Sequence, residues 1–209
     1  MNSNINYWNN FYSNIKSNKI TYDLWLDKFK DILEKYKDNK VLDLGCGTGS
    51  DTLYLSERGY KVIACDYSCE ALNILKENIK GIESVQVDIS KRLPFDDESI
   101  GLIIADLSIH YFNEETTLSI MDELNRIMKR NGHLIARVNS INDLNYGAGC
   151  GERVENNFYL TKDGYKRFFD VKDIKKYFRI FEIYSIRETI MNRYGADKKC
   201  FEVVCINNK

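Results

Sequence analysis

The residues with the clearest chemical pattern are the carboxylates around a glycine-rich turn at residues 41–51, VLDLGCGTGSD. A hydrophobic strand that runs into glycines and then into a helix is the usual preparation for binding a phosphate at the helix N-terminus. Here, however, Asp43 precedes the glycines at 45, 47 and 49, and Asp51 follows them. Unneutralised carboxylates in a partly desolvated crevice repel a pyrophosphate and attract a cation. The turn therefore predicts a ligand that carries positive charge.

Two further acidic residues extend this pattern at the ends of the next predicted strands. Asp66 follows the second strand, about twenty residues beyond the turn, where a carboxylate can accept both ribose hydroxyls. Asp88 closes the third strand within reach of an adenine amino group, and Ile89 beside it supplies an apolar wall. S-Adenosylmethionine joins a purine and a ribose to a sulfonium and an ammonium, and it has no phosphate. The residue order therefore favours S-adenosylmethionine over a dinucleotide, whose G-x-G-x-x-G spacing is missing because Ser50 stands where its third glycine would be.

At this point the chain resembles the class I S-adenosylmethionine-dependent methyltransferases, closely over residues 38–140 and loosely elsewhere. The resemblance implies a three-layer Rossmann-like α/β sandwich, with a seven-stranded, mostly parallel sheet whose last strand is antiparallel. The loop NYGAGCGERVENNFY (145–159) looks like that of small, uncharacterised bacterial methyltransferases, which are generally taken to act on small molecules. The motifs that carry the resemblance are VLDLGCGTGS (41–50), VIACDYS (62–68), VQVDISKRLPF (85–95), IGLIIADLSIHYF (100–112) and IMKRNGHLIARVNS (127–140).

The resemblance also implies a role for each matched position. Gly45 and Gly47 let the backbone approach the methionine moiety, Tyr67 packs on the adenine, and the backbone at Asp106 and Leu107 faces the methionine end. Asp43 anchors the surroundings of that moiety. The full set predicted to bind S-adenosylmethionine, and its product S-adenosylhomocysteine, is Asp43, Gly45, Cys46, Gly47, Asp66, Tyr67, Asp88, Ile89, Asp106 and Leu107.

The reaction itself needs little from the protein beyond alignment, because the sulfonium is already an activated leaving group. If the acceptor must lose a proton, His110 in DLSIHYF is the candidate general base; a packed or orienting histidine is the other reading, and both stay open. Arg137, Asn139 and Arg153 could receive a carboxylate or another anion, or form surface ion pairs. The residues predicted to contact the acceptor are Tyr7, Tyr22, Tyr111, Arg137 and Tyr146.

Several other readings remain beside this one. Alone, Asp43 could cap a turn, Asp88 could begin a loop, and Asp51 could complement a helix dipole. A nicotinamide-dependent oxidoreductase would need phosphate-compatible charges at positions 43 and 51. A module that binds S-adenosylmethionine without catalysis, and a transfer RNA methyltransferase, are the alternatives to an enzyme that acts on small molecules. DLSIHYF differs from the N/D-P-P-Y type of motif, which argues against methylation of nucleobase amino groups.

Strand-like and helix-like segments, which must position these residues, alternate along the chain. This alternation indicates a parallel sheet covered by helices. Residues 139–165 are polar and glycine-dotted and predict a loop that closes over the site as a lid. The first 37 residues predict a helical cap, in which Leu24, Phe29, Ile32, Leu33 and Tyr36 form the apolar face of a helix over 22–36. Strands are predicted at 40–45, 61–65, 84–88, 100–106, 132–138, 180–190 and 200–206, the last two as an antiparallel edge pair, and helices at 51–58, 69–80, 114–130 and 170–178.

Composition predicts one domain over 1–209, with the cap at 1–37 and the cofactor-binding core at 38–140. The 30 basic and 31 acidic residues give a net charge of −1, without the broad positive field that nucleic acid or an anionic membrane requires. The expected partner is therefore a small-molecule methyl acceptor. No leader or membrane-length apolar run is visible, so a cytoplasmic protein is expected, as a monomer or a homodimer. With two histidines and six scattered cysteines, we expect reduced thiols and no metal.

Overall fold

A central β-sheet organises the computed structural model, which describes residues 2–14, 20–193 and 195–209, with side chains from residue 7 onward. In these ranges ten strands form two sheets, and the helices pack mainly against the larger sheet. The strands are β1 (Lys40–Leu44), β2 (Lys61–Asp66), β3 (Glu83–Gln86), β4 (Ile100–Asp106), β5 (Met128–Asn139), β6 (Glu152–Glu155), β7 (Phe158–Thr161), β8 (Gly164–Arg167), β9 (Glu182–Met191) and β10 (Lys198–Ile206). The α-helices are α1 (Asn2–Ser13), α2 (Lys30–Leu33), α3 (Ser50–Glu57), α4 (Cys69–Asn78), α5 (Glu114–Ile127) and α6 (Val171–Tyr177).

The larger sheet has seven strands in the order β3-β2-β1-β4-β5-β10-β9. Its first five strands are parallel, while β10 runs antiparallel to both β5 and β9. The predicted fold class is therefore confirmed, including the single antiparallel strand and the edge pair. Strands β1 and β4 are buried almost throughout, because helices cover both faces of a parallel sheet. No helix in the described ranges is long and apolar enough to cross a bilayer.

Helices α4, α5 and α6 begin where a polar side chain accepts a hydrogen bond from one of their first backbone amides. Ser68 accepts from the amide of Ala71 at the start of α4, and Asn113 accepts from Thr116 at the start of α5. Helix α5 ends at Ile127 instead of the predicted 130, because β5 begins at Met128 and is longer than its predicted span of 132–138. The buried face of α5 packs with α6 on one side of the sheet, in the largest cluster of buried apolar residues.

The amino-terminal region departs from the predicted helix over 22–36. Helix α2 is only one turn long and lies between two 3-10 helices, Trp25–Phe29 and Glu34–Tyr36. Trp25 and Leu26 are buried against the sheet, whereas Leu24, predicted on the apolar face, is 56 % exposed. The tighter 3-10 winding rotates the chain relative to an α-helical pattern and so changes which residues face the core. Residues 15–19 of the predicted cap lie outside the described residues.

The predicted lid loop over 139–165 is wrong in its local structure. After a 3-10 turn at Leu144–Tyr146, strands β6, β7 and β8 form a separate antiparallel sheet, which we call the small sheet. Its turns use Asn157 at φ 55° and Gly164 at φ 96°, and Phe158 stacks on Tyr165 at 5.5 Å between ring centroids. Strand β6 is mostly exposed and β7 and β8 are mostly half-buried, so the polar composition of the small sheet resembles that of a loop.

Candidate active site

A cavity of about 940 Å³ opens at the carboxyl ends of β1, β2, β4 and β5, where parallel sheets bind their ligands. Helix α1 and the small sheet contribute to its walls. Its lining falls into two groups of opposite character. We call the first the acidic wall, formed by Asp43, Gly45, Gly47, Asp51, Asp66 and Asp88, and the second the lysine wall, formed by Ser108, His110, Asn139, Lys166 and Lys198.

The glycine turn of the acidic wall is held tightly between two strand ends. The amides of Gly45 and Cys46 both donate to the carbonyl of Cys65, at 2.7 and 2.8 Å. Gly45 and Gly47 have φ values of 75° and 54°, in the left-handed region that favours glycine. A Cβ at Gly45 would collide with the side chain of Ser108, and one at Gly47 would lie 2.8 Å from the Tyr12 hydroxyl. Bare backbone therefore lines the cavity here, as close approach of a ligand requires.

The carboxylates of the acidic wall have uncharged hydrogen-bond donors. Asp43 is 1 % exposed and accepts from the Thr52 hydroxyl at 2.5 Å; burial raises its pKa to about 7. Asp66 accepts at 2.8 Å from the amides of both Gly47 and Ser68, and burial raises its pKa from the ordinary value despite these hydrogen bonds. Asp88 accepts from the amide and hydroxyl of Ser90 at 2.9 and 2.6 Å, both on Oδ1. These partners orient the carboxylates without neutralising them.

Asp106, by contrast, is neutralised by guanidinium groups. Arg137 holds both of its oxygens at 2.6 Å, and Arg193 approaches Oδ2 at 2.9 Å. Both arginines also pair with Asp23 at 2.9 Å. Burial alone would raise the pKa of Asp106, but the two guanidinium groups more than offset this and lower it. Asp51 accepts from the Trp25 indole at 2.9 Å, and burial raises its pKa well above the ordinary value.

Leu107, next in the chain, has a φ of 53° although it carries a side chain. Its amide donates to the carbonyl of Arg137 at 3.0 Å, which holds this unfavourable conformation in place. Left-handed residues other than glycine are sparsely populated and concentrate at functional sites. The bend at Leu107 carries the chain from β4 into the lysine wall.

The lysine wall contains buried polar atoms that have no hydrogen-bond partner. These are the Ser108 hydroxyl, His110 Nδ1 and both amide atoms of Asn139; their residues are 8 %, 2 % and 1 % exposed. Leaving such atoms unpaired costs about 1–3 kcal/mol each, so they are groups that a ligand can satisfy. Burial lowers the pKa of His110 well below its usual value, and the nearby Lys198 and Lys166 lower it further, so its imidazole is neutral at pH 7.

Two ammonium groups complete this wall. Lys198 is 6 % exposed, donates to Asp143 at 2.8 Å and lies 4.7 Å from the centroid of the Tyr146 ring. Lys166, on β8, donates to Asp163 at 2.9 Å. Both lysines line the cavity, whereas their carboxylate partners are not among its lining residues.

Helix α1 covers the space between the two walls. Trp8 contacts the ring of Tyr111 edge-on at 5.5 Å between centroids. At the other wall, the Ser68 hydroxyl donates to the Asn9 side chain at 2.6 Å. Tyr7, Phe11 and Tyr12 of the same helix also line the cavity.

The structure brings most of the predicted residues to this cavity. All ten positions predicted to bind the cofactor line it, as do His110, Tyr7, Tyr111 and Tyr146. Two predicted acceptor contacts are corrected: Tyr22 lies outside the lining residues and bonds to Glu57, and Arg137 is enclosed by its ion pairs with Asp106 and Asp23. Arg153 is exposed and also lies outside the cavity lining.

Sequence reasoning missed Ser108, Lys166, Arg193 and Lys198. Ser108 lies within the motif that contains His110, so its place near the end of β4 was a usable signal. The other three lie in weakly patterned segments: Lys166 depends on the small sheet, and Lys198 depends on the position of β10 beside β5.

The core of the chain is similar to known methyltransferases. Residues 42–136 match a family described as a methyltransferase domain. An uncharacterized methyltransferase of Synechocystis is 33 % identical over 93 residues, 44 % of this chain and 43 % of that protein. A tRNA N(3)-methylcytidine methyltransferase of Drosophila melanogaster is 28 % identical over 183 residues, 78 % of this chain and 56 % of that protein. The chain thus spans about half the length of the curated relatives it matches.

Solved structures show the same fold. A SAM-dependent methyltransferase from Methanosarcina mazei superposes with a TM-score of 0.72 at 20 % identity, covering 85 % of this chain and 97 % of that one. TehB from Haemophilus influenzae superposes with a TM-score of 0.60 at 20 % identity, covering 86 % of this chain and 62 % of that one. At these identities the likeness concerns the arrangement of strands and helices.

Proposed function

We propose that this chain, which carries a class I S-adenosylmethionine-dependent methyltransferase domain, transfers a methyl group to a small-molecule acceptor held in the cavity. The observation that carries the proposal is that one cavity is lined both by the acidic wall and by residues with buried polar atoms that lack hydrogen-bond partners. A ligand of positive charge suits the first wall, and a second, polar ligand suits the other.

The acidic wall fits S-adenosylmethionine in charge and in shape. Asp66 and Asp88 are assigned to the ribose and the adenine amino group, with Tyr67 and Ile89 as the apolar contacts of the base. The bare backbone at Gly45 and Gly47 leaves room for the methionine moiety near Asp43. When bound, S-adenosylmethionine supplies a methyl group on a sulfonium, and the electron pair of the broken carbon–sulfur bond stays on the sulfur as the new bond to the acceptor forms.

His110 is assigned as the group that receives the acceptor's proton. Its imidazole is buried, neutral at pH 7 and unpartnered at Nδ1, so it can accept a proton from a hydroxyl or an ammonium during transfer. Ser108 and Asn139 would orient the same acceptor by hydrogen bonds. The aromatic side chains of Trp8 and Tyr111 exclude water from the space between the two ligands.

A transfer RNA acceptor is the competing assignment, because the Drosophila relative acts on tRNA by its name. Two observations favour a small molecule. The net charge of −1 lacks the positive field that binds a phosphate backbone, and the unpartnered atoms are buried inside a cavity that α1 covers. A catalytically inactive S-adenosylmethionine-binding module is the other alternative.

The test separates these assignments. Purified protein is titrated by calorimetry with S-adenosylhomocysteine and with NADH, and is then incubated with methyl-tritiated S-adenosylmethionine and either a low-mass metabolite extract or total tRNA. We expect the protein to bind S-adenosylhomocysteine and not NADH. We also expect tritium to be transferred into the low-mass fraction. Transfer into tRNA would overturn the acceptor class, and tight binding without transfer to either fraction would support the binding module.

Substitution of His110 by alanine tests the base. We expect at least about a hundredfold loss of turnover on the accepted fraction, within the range of general-base effects, with unchanged affinity for S-adenosylhomocysteine. The matched control is His133→Asn, since His133 bonds to the hydroxyl of Tyr36 outside the cavity lining. A turnover unchanged by His110→Ala would remove the base assignment.

A further inference from the structure

We propose that the methyl acceptor is a small carboxylic acid whose carboxylate is held by the ammonium groups of Lys166 and Lys198. The proposal rests on the proposed function and deepens it by naming the chemical class of the substrate.

Lys198 provides the first observation. It lies at the start of β10, is 6 % exposed, and yet lines the cavity. Its ammonium has three N–H donors, of which Asp143 at 2.8 Å takes one, and the Tyr146 ring lies beside it at 4.7 Å. A buried ammonium that faces a cavity has donors to offer an anion from inside the protein.

The direction of the ion pairs provides the second observation. Lys198 donates to Asp143, which is 1 % exposed, and Lys166 donates to Asp163 in the turn before β8. Neither of these carboxylates lines the cavity. Each pair therefore presents its positive end to the space. Burial lowers the pKa of Lys198, and the charge of the nearby Lys166 lowers it further, so an anion beside Lys198 would favour its charged form.

The surroundings restrict where an anion can bind. Glu155 also lines the cavity, but it forms an ion pair with Arg167 and accepts the amide of Glu114 at 2.9 Å. In the acidic wall, the carboxylates of Asp66 and Asp88 would repel a second carboxylate. An anionic acceptor is therefore directed to the lysine wall, with its remaining polar group toward Ser108, His110 and Asn139.

The rings of the small sheet suggest the body of the acceptor. Phe158 and Tyr165 stack with their planes 18° apart and both line the cavity beside Lys166. Aromatic surface of this kind packs well against a flat apolar group. Benzoate is accordingly a suitable probe, and benzamide is its neutral counterpart of nearly equal shape.

The experiment measures binding to protein saturated with S-adenosylhomocysteine, by ligand-observed NMR titration of benzoate and of benzamide. We expect benzoate to bind at least about fivefold more tightly, and Lys166→Met to reduce this preference to about twofold or less. The matched control is Lys162→Met, at an exposed lysine in the turn between β7 and β8 that does not line the cavity, and it should leave the preference unchanged.

Three outcomes would overturn the proposal: equal affinity for the two probes, a preference that survives Lys166→Met, or no binding of benzoate at millimolar concentration. The calorimetric titration with S-adenosylhomocysteine is run on the same samples. If it shows no binding, the proposed function fails; if it shows binding while the probes are not distinguished, only the acceptor class fails.

Discussion

The two walls of the cavity differ in charge and in how each charge is held. In the acidic wall, hydroxyls and backbone amides orient Asp43, Asp66 and Asp88, and none of these carboxylates forms an ion pair with a described residue. In the lysine wall, each ammonium is fixed by a carboxylate placed behind it, as Asp143 fixes Lys198. The acidic wall offers carboxylates to a ligand, whereas the lysine wall offers ammonium groups whose carboxylate partners lie outside the cavity lining. The proposed function accordingly assigns a cationic ligand to the first wall and an anionic ligand to the second.

The largest effect on the acidic wall is expected from a side chain placed in the glycine turn. Gly47→Val places a branched side chain at φ 54° and against the Tyr12 hydroxyl, so the acidic wall should lose its shape. We expect affinity for S-adenosylhomocysteine to fall at least about a hundredfold, or about 2.7 kcal/mol, by calorimetry.

Gly59→Val is the matched control for that variant. Gly59 also has a positive φ, 76°, but a Cβ there meets nothing within 4 Å. Gly59→Val should strain the backbone in the same way as Gly47→Val and should leave the affinity for S-adenosylhomocysteine unchanged. Equal losses in both variants would show that strain, and not the shape of the acidic wall, controls binding.

A smaller effect is expected from Asp66→Ala. The variant removes a charged acceptor assigned to the ribose and also releases the amide of Gly47, which Asp66 binds at 2.8 Å. We expect affinity for S-adenosylhomocysteine to fall by about 1–3 kcal/mol, with the benzoate preference of the lysine wall unchanged. Asp122→Ala, at an exposed position on α5, serves as the control. Unchanged cofactor affinity would contradict the assignment of Asp66.

Asp43→Asn tests whether the charge of the acidic wall controls the pH dependence of ligand affinity. Because burial raises the pKa of Asp43 to about 7, the carboxyl is largely protonated below pH 7 and ionised above it. A cationic ligand favours the ionised form, so the affinity of the native protein for S-adenosylmethionine should rise between pH 6 and 8. Asp43→Asn should flatten that profile, as measured by calorimetry in matched buffers.

The same substitution affects stability with a defined sign. A carboxyl whose pKa is raised in the folded state binds more protons there than in the unfolded chain, so the free energy of unfolding falls as pH rises from about 4 to about 7. The increase in melting temperature caused by Asp43→Asn should therefore be larger at pH 8 than at pH 5. An increase that does not depend on pH would mean that Asp43 does not titrate in this range.

The sequence was informative for one wall and much less so for the other. The residues of the acidic wall lie in short segments where strand ends and glycines fix their positions locally, so Asp43, Asp66 and Asp88 could all be placed near a cofactor. The lysine wall depends on contacts between distant segments, such as the pairing of Asn139 with Cys200 two residues after Lys198. No local pattern marks that register. The prediction of Arg137 as an acceptor contact was wrong because its partners, Asp106 and Asp23, are also distant in sequence.

The position of β10 has a consequence for how the molecule assembles. This strand is the last in the sequence, yet it lies inside the sheet, between β5 and β9. Among the described residues, strand β9 pairs only with β10, in a hairpin, so both strands join the sheet through the pairing of β10 with β5, a long-range contact of the kind that slows folding. The side chain of Asn207 then donates to the carbonyl of Met128 at 3.0 Å, where α5 passes into β5. Since Lys198 belongs to this strand, the lysine wall is completed only when β10 pairs with β5, after every strand behind the acidic wall has been synthesised.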